Sequence, residues 1–204
     1  MLCCISDESQ VSVNKCIAKQ IGTRADHFLS AIDETVKNLA LFIVGSSYAL
    51  TSLASLGLHS HSVKNASEAL YDGGGILRRL YFEALKILNP SANINSLWVD
   101  SATTQIDEAI KFAYEQANSE RFLKRHVVSR ICFAGIALAA IAARTLQTAI
   151  GALATTTSIV TLGYISSVNH IAYDCLGGPR ILRDLFLCTL GFLHPKGLET
   201  IIER

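Results

Sequence analysis

Residues 131–165 read ICFAGIALAAIAARTLQTAIGALATTTSIVTLGYI, a run that carries one formal charge, Arg144. A helix crossing the ~30 Å hydrocarbon core of a bilayer needs about 20 predominantly apolar residues, so this run is long enough for two arms. The pattern predicts an apolar helical hairpin over 131–165, folded about 144–147, with a lipid bilayer as its expected surroundings. A free arginine at the bilayer centre costs ~2.5–3.5 kcal/mol on insertion scales. Arg144 is therefore expected at the hairpin tip or paired inside a bundle.

Immediately upstream, Arg121, Lys124, Arg125 and Arg130 cluster. In a membrane protein such a cluster stays on the cytoplasmic side, and a hairpin would return the chain to that side, where Arg180, Arg183 and Lys196 follow; the equal alternative is a solvated basic turn ahead of a buried helix. Residues 99–125 form a polar connector. Its helix is expected to start near Thr104, with Thr104 and Asp107 at capping-box spacing and Ile106, Ala109, Ile110, Ala113 and Ala117 as its apolar stripe.

The first half repeats this grammar with more charge. Residues 1–23 show no sustained period and are expected to form a loose arm. From Arg24, Phe28, Leu29, Ile32, Val36, Leu39, Ala40 and Ile43 recur at helical spacing, with Asp26, Asp33, Glu34 and Lys37 opposite. No charge falls within 38–63, and 39–58 is long enough to span a bilayer. The glycines at 73–75 mark a chain reversal. Then Ile76, Leu77, Leu80, Tyr81, Ala84, Leu85 and Leu88 define a helix face, with Arg78, Arg79, Glu83 and Lys86 opposite and Asn89-Pro90 as the stop.

The halves also resemble each other in sequence. Residues 76–90 read ILRRLYFEALKILNP and residues 181–195 read ILRDLFLCTLGFLHP, identical at seven of fifteen positions and 105 residues apart. Tyr71-Asp72 answers Tyr173-Asp174 at a separation of 102, and the segment from His27 to Ser30 answers that from His126 to Ser129 at 99. The order is kept, which suggests an internal duplication. The expected unit is a leading helix (27–42 and 127–143), a second apolar helix (44–63 and 146–168), a glycine turn, and a closing helix (76–88 and 181–193). The fold class is thus all-α: two related three-helix units, 24–98 and 126–204, joined by the polar 99–125 helix.

Composition agrees with helices in apolar surroundings. Of 204 residues, 50% are hydrophobic and 17% charged, with three prolines; mean hydropathy is +0.34. This suits a membrane-embedded protein or an unusually apolar soluble bundle. A net charge of +1 removes the global electrostatic case for nucleic acid. The first residues, MLCCISDES, carry acids rather than a basic, apolar signal, so no standard export signal is expected. The six cysteines form no C-x-x-C pair and read as reduced thiols; no lipidation signature frames Cys3-Cys4, and an ordinary disordered terminus is a better reading of that pair than acylation.

No catalytic, cofactor-binding or metal-binding residues are expected. Gly73-Gly74-Gly75 near Arg78, and Gly177-Gly178-Pro179-Arg180, could aim N–H groups at an anion, yet neither matches a phosphate-loop pattern and a plain turn is the better reading. His59 and His61 lack nearby ligands to complete a tetrahedral shell. His170 with Tyr173, Asp174 and Cys175 is the remaining polar group in an apolar neighbourhood, and packing accounts for it better than a nucleophilic pair.

The paired apolar arms about Arg144 resemble, by hydropathy, the bilobed hydrophobic region of the inclusion-membrane proteins that chlamydia-type bacteria insert into a host vacuole. The resemblance implies membrane insertion and transfers no functional residues. The expected protein is a non-enzymatic, membrane-associated helical protein presenting amphipathic helices to a partner or lipid surface, in a bacterial inner membrane or in a host membrane after secretion. The alternative is a cytoplasmic, soluble all-α interaction module whose apolar helices are buried in a bundle or homo-oligomer.

Overall fold

Two long helices, each folded back on a shorter one, frame the molecule. The computed structural model describes residues 7–94 and 101–202, all of whose regular elements are helical. In chain order these are α1 (Asp7–Ala54), α2 (Ser60–Gly73), α3 (Ile76–Leu88), α4 (Ser101–Ala117), α5 (Ser129–Val160), α6 (Ser166–Cys175), α7 (Ile181–Leu193) and a short α8 (Glu199–Ile202). A π-helical turn, Lys124–Val128, leads into α5, and single 3-10 turns precede α7 and α8.

The expected hairpin at 144–147 does not form. Residues 129–160 are one uninterrupted helix of 32 residues, about 48 Å long at 1.5 Å per residue. The segment Arg144-Thr145-Leu146-Gln147 holds no glycine or proline to break it, and Arg144 finds partners inside the protein. The reversal comes later, where Leu162 and Gly163 adopt φ of 49° and 71°. In the first half the leading and second apolar helices likewise fuse into α1, and the reversal sits at Leu56 and Gly57, with φ of 50° and 73°. Two successive left-handed residues need a glycine at one of them.

The expected loose arm is also helical from Asp7, while residues 1–6 lie outside the described residues. Its lack of period reflects exposure on all sides at 15–21. Once the packed part of α1 nucleates a helix, each added residue requires only propagation.

Both hairpins close through small residues. A Cβ on Gly45 would lie 2.9 Å from the Leu70 amide nitrogen, and one on Gly151 would lie 2.9 Å from the Cys175 carbonyl. Such bare backbone lets antiparallel helices approach closely. The turns match in detail: the Gly57 amide donates to Ser52 O at 2.7 Å and the Gly163 amide to Ser158 O at 2.8 Å. Gly45/Gly151, Ser52/Ser158 and Gly57/Gly163 are each 106 residues apart, as are buried Asn38 and Arg144. The sequence pairs at separations of 99 and 102 fall out of this register: His27 lies within α1 but His126 in the π turn, and Tyr71 stands opposite Gly177.

Helices α3 and α7 cross between the halves reciprocally. From α3 and its C-cap, Tyr81 Oη donates to Ser158 Oγ at 2.7 Å, Asn89 Nδ2 to Leu162 O at 2.9 Å, and Arg78 to the carbonyls of Tyr173 and Asp174. From α7, Arg183 Nε donates to Ser67 Oγ at 3.2 Å, and Leu190 packs over Gly57 as Leu85 packs over Gly163. Glu83, expected on the exposed face of α3, is instead buried against α1, where Ser30 Oγ donates to it and His27 Nδ1 sits 2.8 Å away.

Helix α4 docks by its expected stripe, with Ile106, Ile110, Ala113 and Ala117 buried. It begins at Ser101, so Thr104 and Asp107 fall within the helix rather than forming a capping box. The main core joins Leu70, Ile110, Phe133, Phe186, Leu187, Leu190 and Leu198; a second cluster gathers Tyr81, Leu85, Ala172 and Leu176.

Candidate functional site

Arg144, the one charge of α5 beyond Arg130 in its first turn, is 1% exposed and turned into the protein. Its Nε donates to Asp184 Oδ2 on α7 at 2.8 Å, Nη1 to Gln147 Oε1 at 2.9 Å, and Nη2 to Thr103 Oγ1 on α4 at 2.7 Å. The neighbouring Arg183 holds Asp107 with both terminal nitrogens, at 2.8 and 3.2 Å, and its Nη1 lies 3.6 Å from Asp184 Oδ1. Two arginines and two aspartates thus balance in charge. They tie α2, α4, α5 and α7 at one point.

Burial pushes the Asp184 carboxyl above its ordinary 3.8, against the hydrogen bond and charge of Arg144 and the charge of Arg183. Desolvation outweighing attraction is the usual balance for a buried pair. Beside the network, a cleft of about 310 Å³ is lined by Ser67, Glu68, Tyr71, Asp72, Thr103, Asp107 and Arg183. Arg180 stacks 3.8 Å from the Tyr71 ring centroid. The arginines here are committed to protein carboxylates, carbonyls and a ring, an arrangement that locks helices together.

The outer face of α5 is the complement of this polar interior. Ile131, Leu138, Ile141, Leu146, Ile150, Leu153, Ile159 and Val160 are exposed. Arg144 is the only charge between Arg130 and Asp174, so the exposed surface of 131–160 carries none. Two helical segments, Lys15–Ala54 and Lys124–Val160, are long and apolar enough to cross a membrane, and only 22% and 17% of their most apolar windows are buried. Soluble monomers rarely expose contiguous apolar patches beyond a few hundred Å².

The hydroxyls on these faces are satisfied without water. Thr145, Thr156, Thr157 and Thr161 donate to the carbonyls four residues earlier at 2.7–3.0 Å, as do Ser46, Ser47 and Thr51 on α1. Self-satisfied hydroxyls suit a medium that offers no partner. The halves differ in their second helices: α2 carries a Lys64–Glu68 pair at 3.9 Å, whereas Asp174 is the one formally charged residue of α6.

The glycine turns serve the backbone. The Gly74 and Gly75 amides donate to Leu70 O and Asp72 O, and Arg180 Nε donates to Tyr71 O. His61 pairs with Asn65, and no group of three His, Cys, Asp or Glu suited to a metal occurs among the described residues. His170 and Cys175, five positions apart on α6, lie about 140° apart around that helix. Among the described residues Cys16, Cys132, Cys175 and Cys188 form no disulfide, and burial pushes the Cys188 thiol up to about 12. Cys3 and Cys4 lie outside the described residues.

The partner of Arg144 escaped the sequence reading, although a signal existed. In the aligned closing helices Arg79 answers Asp184, an acid set within the apolar pattern of α7. An acid and a base set within the apolar runs of two helices are natural partners. No protein-family model, curated protein or solved structure matches the chain.

Proposed function

We propose that this is a non-enzymatic, membrane-associated helical protein whose α5 face contacts lipid, with α4 and α7 anchored to its inner side. One observation carries the reading: the exposed surface of 131–160 is free of charge and dominated by apolar side chains, with threonine hydroxyls among them, while its single arginine is turned inward and paired. A bacterial inner membrane, or a host membrane reached after secretion, would supply that lipid. Carbonate extraction of membranes from cells expressing the chain tests it. The chain should stay with the membrane pellet, and release into the soluble fraction overturns the proposal.

The partly exposed Lys64–Glu68 pair on α2 favours a second reading, in which the apolar faces are covered by another copy in a soluble homo-oligomer. That reading requires release by carbonate. We also infer that the halves arose by internal duplication. The shared 106-residue register of turns and close-packed glycines, and the reciprocal crossing of α3 and α7, support it. If the inference holds, the halves 1–98 and 99–204 produced as separate chains should associate, since each closing helix packs on the other half's turn.

A further inference from the structure

We propose that the basic cleft at the amino end of α5 binds the phosphate of an anionic phospholipid headgroup. The proposal rests on the membrane reading above and specifies the lipid. The cleft, of about 280 Å³, is lined by Arg125, His126, Arg130, His194 and Lys196, together with Asn118 and small or apolar residues.

The π turn builds this convergence. Around an α-helix, residues five apart are separated by about 140°. The π turn widens the helix so that the Ser129 amide reaches the Lys124 carbonyl, five residues back, and Arg125 and Arg130 come to line one cleft. Such turns recur at functional sites. Lys196 enters from the 3-10 turn after α7, and the buried Nδ1 of His194 has no hydrogen-bond partner.

The cations are open to an anion, Arg130 also lying over the Phe192 ring at 6.0 Å from its centroid. Arg125, Arg130 and Lys196 are exposed, and none forms an ion pair among the described residues. Arg121 and Lys124 add two more exposed positive charges. A phosphate is the complementary ligand. The lipid source follows from the neighbours: Phe122, Leu123, Val127, Val128 and Ile131 are exposed among these cations. Immediately beyond them begins the charge-free face of α5, which places the cleft at headgroup depth when that face lies in hydrocarbon. Interleaved basic and apolar side chains at a membrane boundary bind anionic lipid by charge and by insertion together.

The test is co-flotation of the full chain, diluted from mild detergent, with vesicles of phosphatidylcholine or of an equimolar mixture of phosphatidylcholine and phosphatidylglycerol. Each basic residue near an anionic surface is worth about fivefold in partitioning, so three together are worth roughly a hundredfold. The triple variant R125Q/R130Q/K196Q should lose most of the preference for the mixed vesicles yet still float with phosphatidylcholine. A control of equal charge, K15Q/K19Q/K111Q, should keep it, and so should R125K/R130K. In the wild-type chain, added salt should erase the preference.

A preference unchanged in the cleft variant, or lost equally in the control, overturns the proposal. Full competition by inorganic phosphate also overturns it, because the ligand would then be free phosphate. Equal flotation of the wild-type chain with both vesicles sinks the headgroup site and leaves the membrane reading standing. Flotation with neither sinks both.

Discussion

Truncating Asp184 is the sharpest perturbation of the interior. Its carboxyl is fully buried and takes the Nε hydrogen bond of Arg144, itself 1% exposed. In Asp184→Leu, Arg144 keeps Thr103 and Gln147, both neutral, and loses its counter-charge. A buried charge left without its partner costs about 3–5 kcal/mol, and at this size each kcal/mol lowers Tm by about 2–4 °C. The expected loss is therefore about 6–20 °C, read by circular dichroism on the purified chain. The double variant R144M/D184L removes both charges, and with them the burial that pushes the Asp184 carboxyl up despite Arg144. It should recover to within about 1 kcal/mol of wild type or exceed it. A single variant as stable as wild type, or a double variant worse than the single, refutes this account of the network.

Further outcomes follow from the same contacts. Because burial raises the Asp184 carboxyl above 3.8, the folded chain holds that proton more tightly than the unfolded chain. Stability from this group falls as pH rises between the two values and is level above them; Asp184→Asn should remove that slope from unfolding curves taken across the acid range. Gly151→Ala forces a methyl to within 2.9 Å of the Cys175 backbone and should cost about 1–3 kcal/mol. Gly22→Ala and Gly135→Ala meet nothing within 4 Å and should each stabilise the helix by roughly 0.5–1 kcal/mol. Ser158 accepts from Tyr81 and donates to Asn169: Tyr81→Phe should cost about 1 kcal/mol in chemical denaturation, and Ser158→Ala, which strands two buried partners, about twice that.

Much of this fold is legible in the sequence because helical periodicity reports directly on burial. The stripe of α4 docks as written, and α3 and α7 end at Leu88 and Leu193, just before Asn89-Pro90 and His194-Pro195. The continuity of α5 is harder to see. Whether a helix passes through Arg144 depends on Asp184, forty residues away, and local pattern carries no record of a distant counter-charge. Glu83 is misplaced on the polar face for a similar reason, since His27 and Ser30 on α1 satisfy it. The basic cluster before α5 is plain as composition. Its convergence with Lys196 is not, because it depends on a π turn that α-helical spacing conceals.

The face of α5 is tested most directly by depth. A tryptophan placed at Leu146, near the middle of that face, in a Trp98→Phe background can be followed in vesicles of lipids brominated along their acyl chains. The account predicts strong quenching by the bromines and a blue-shifted emission. Emission that the bromines leave unquenched would contradict it and place this apolar face against protein.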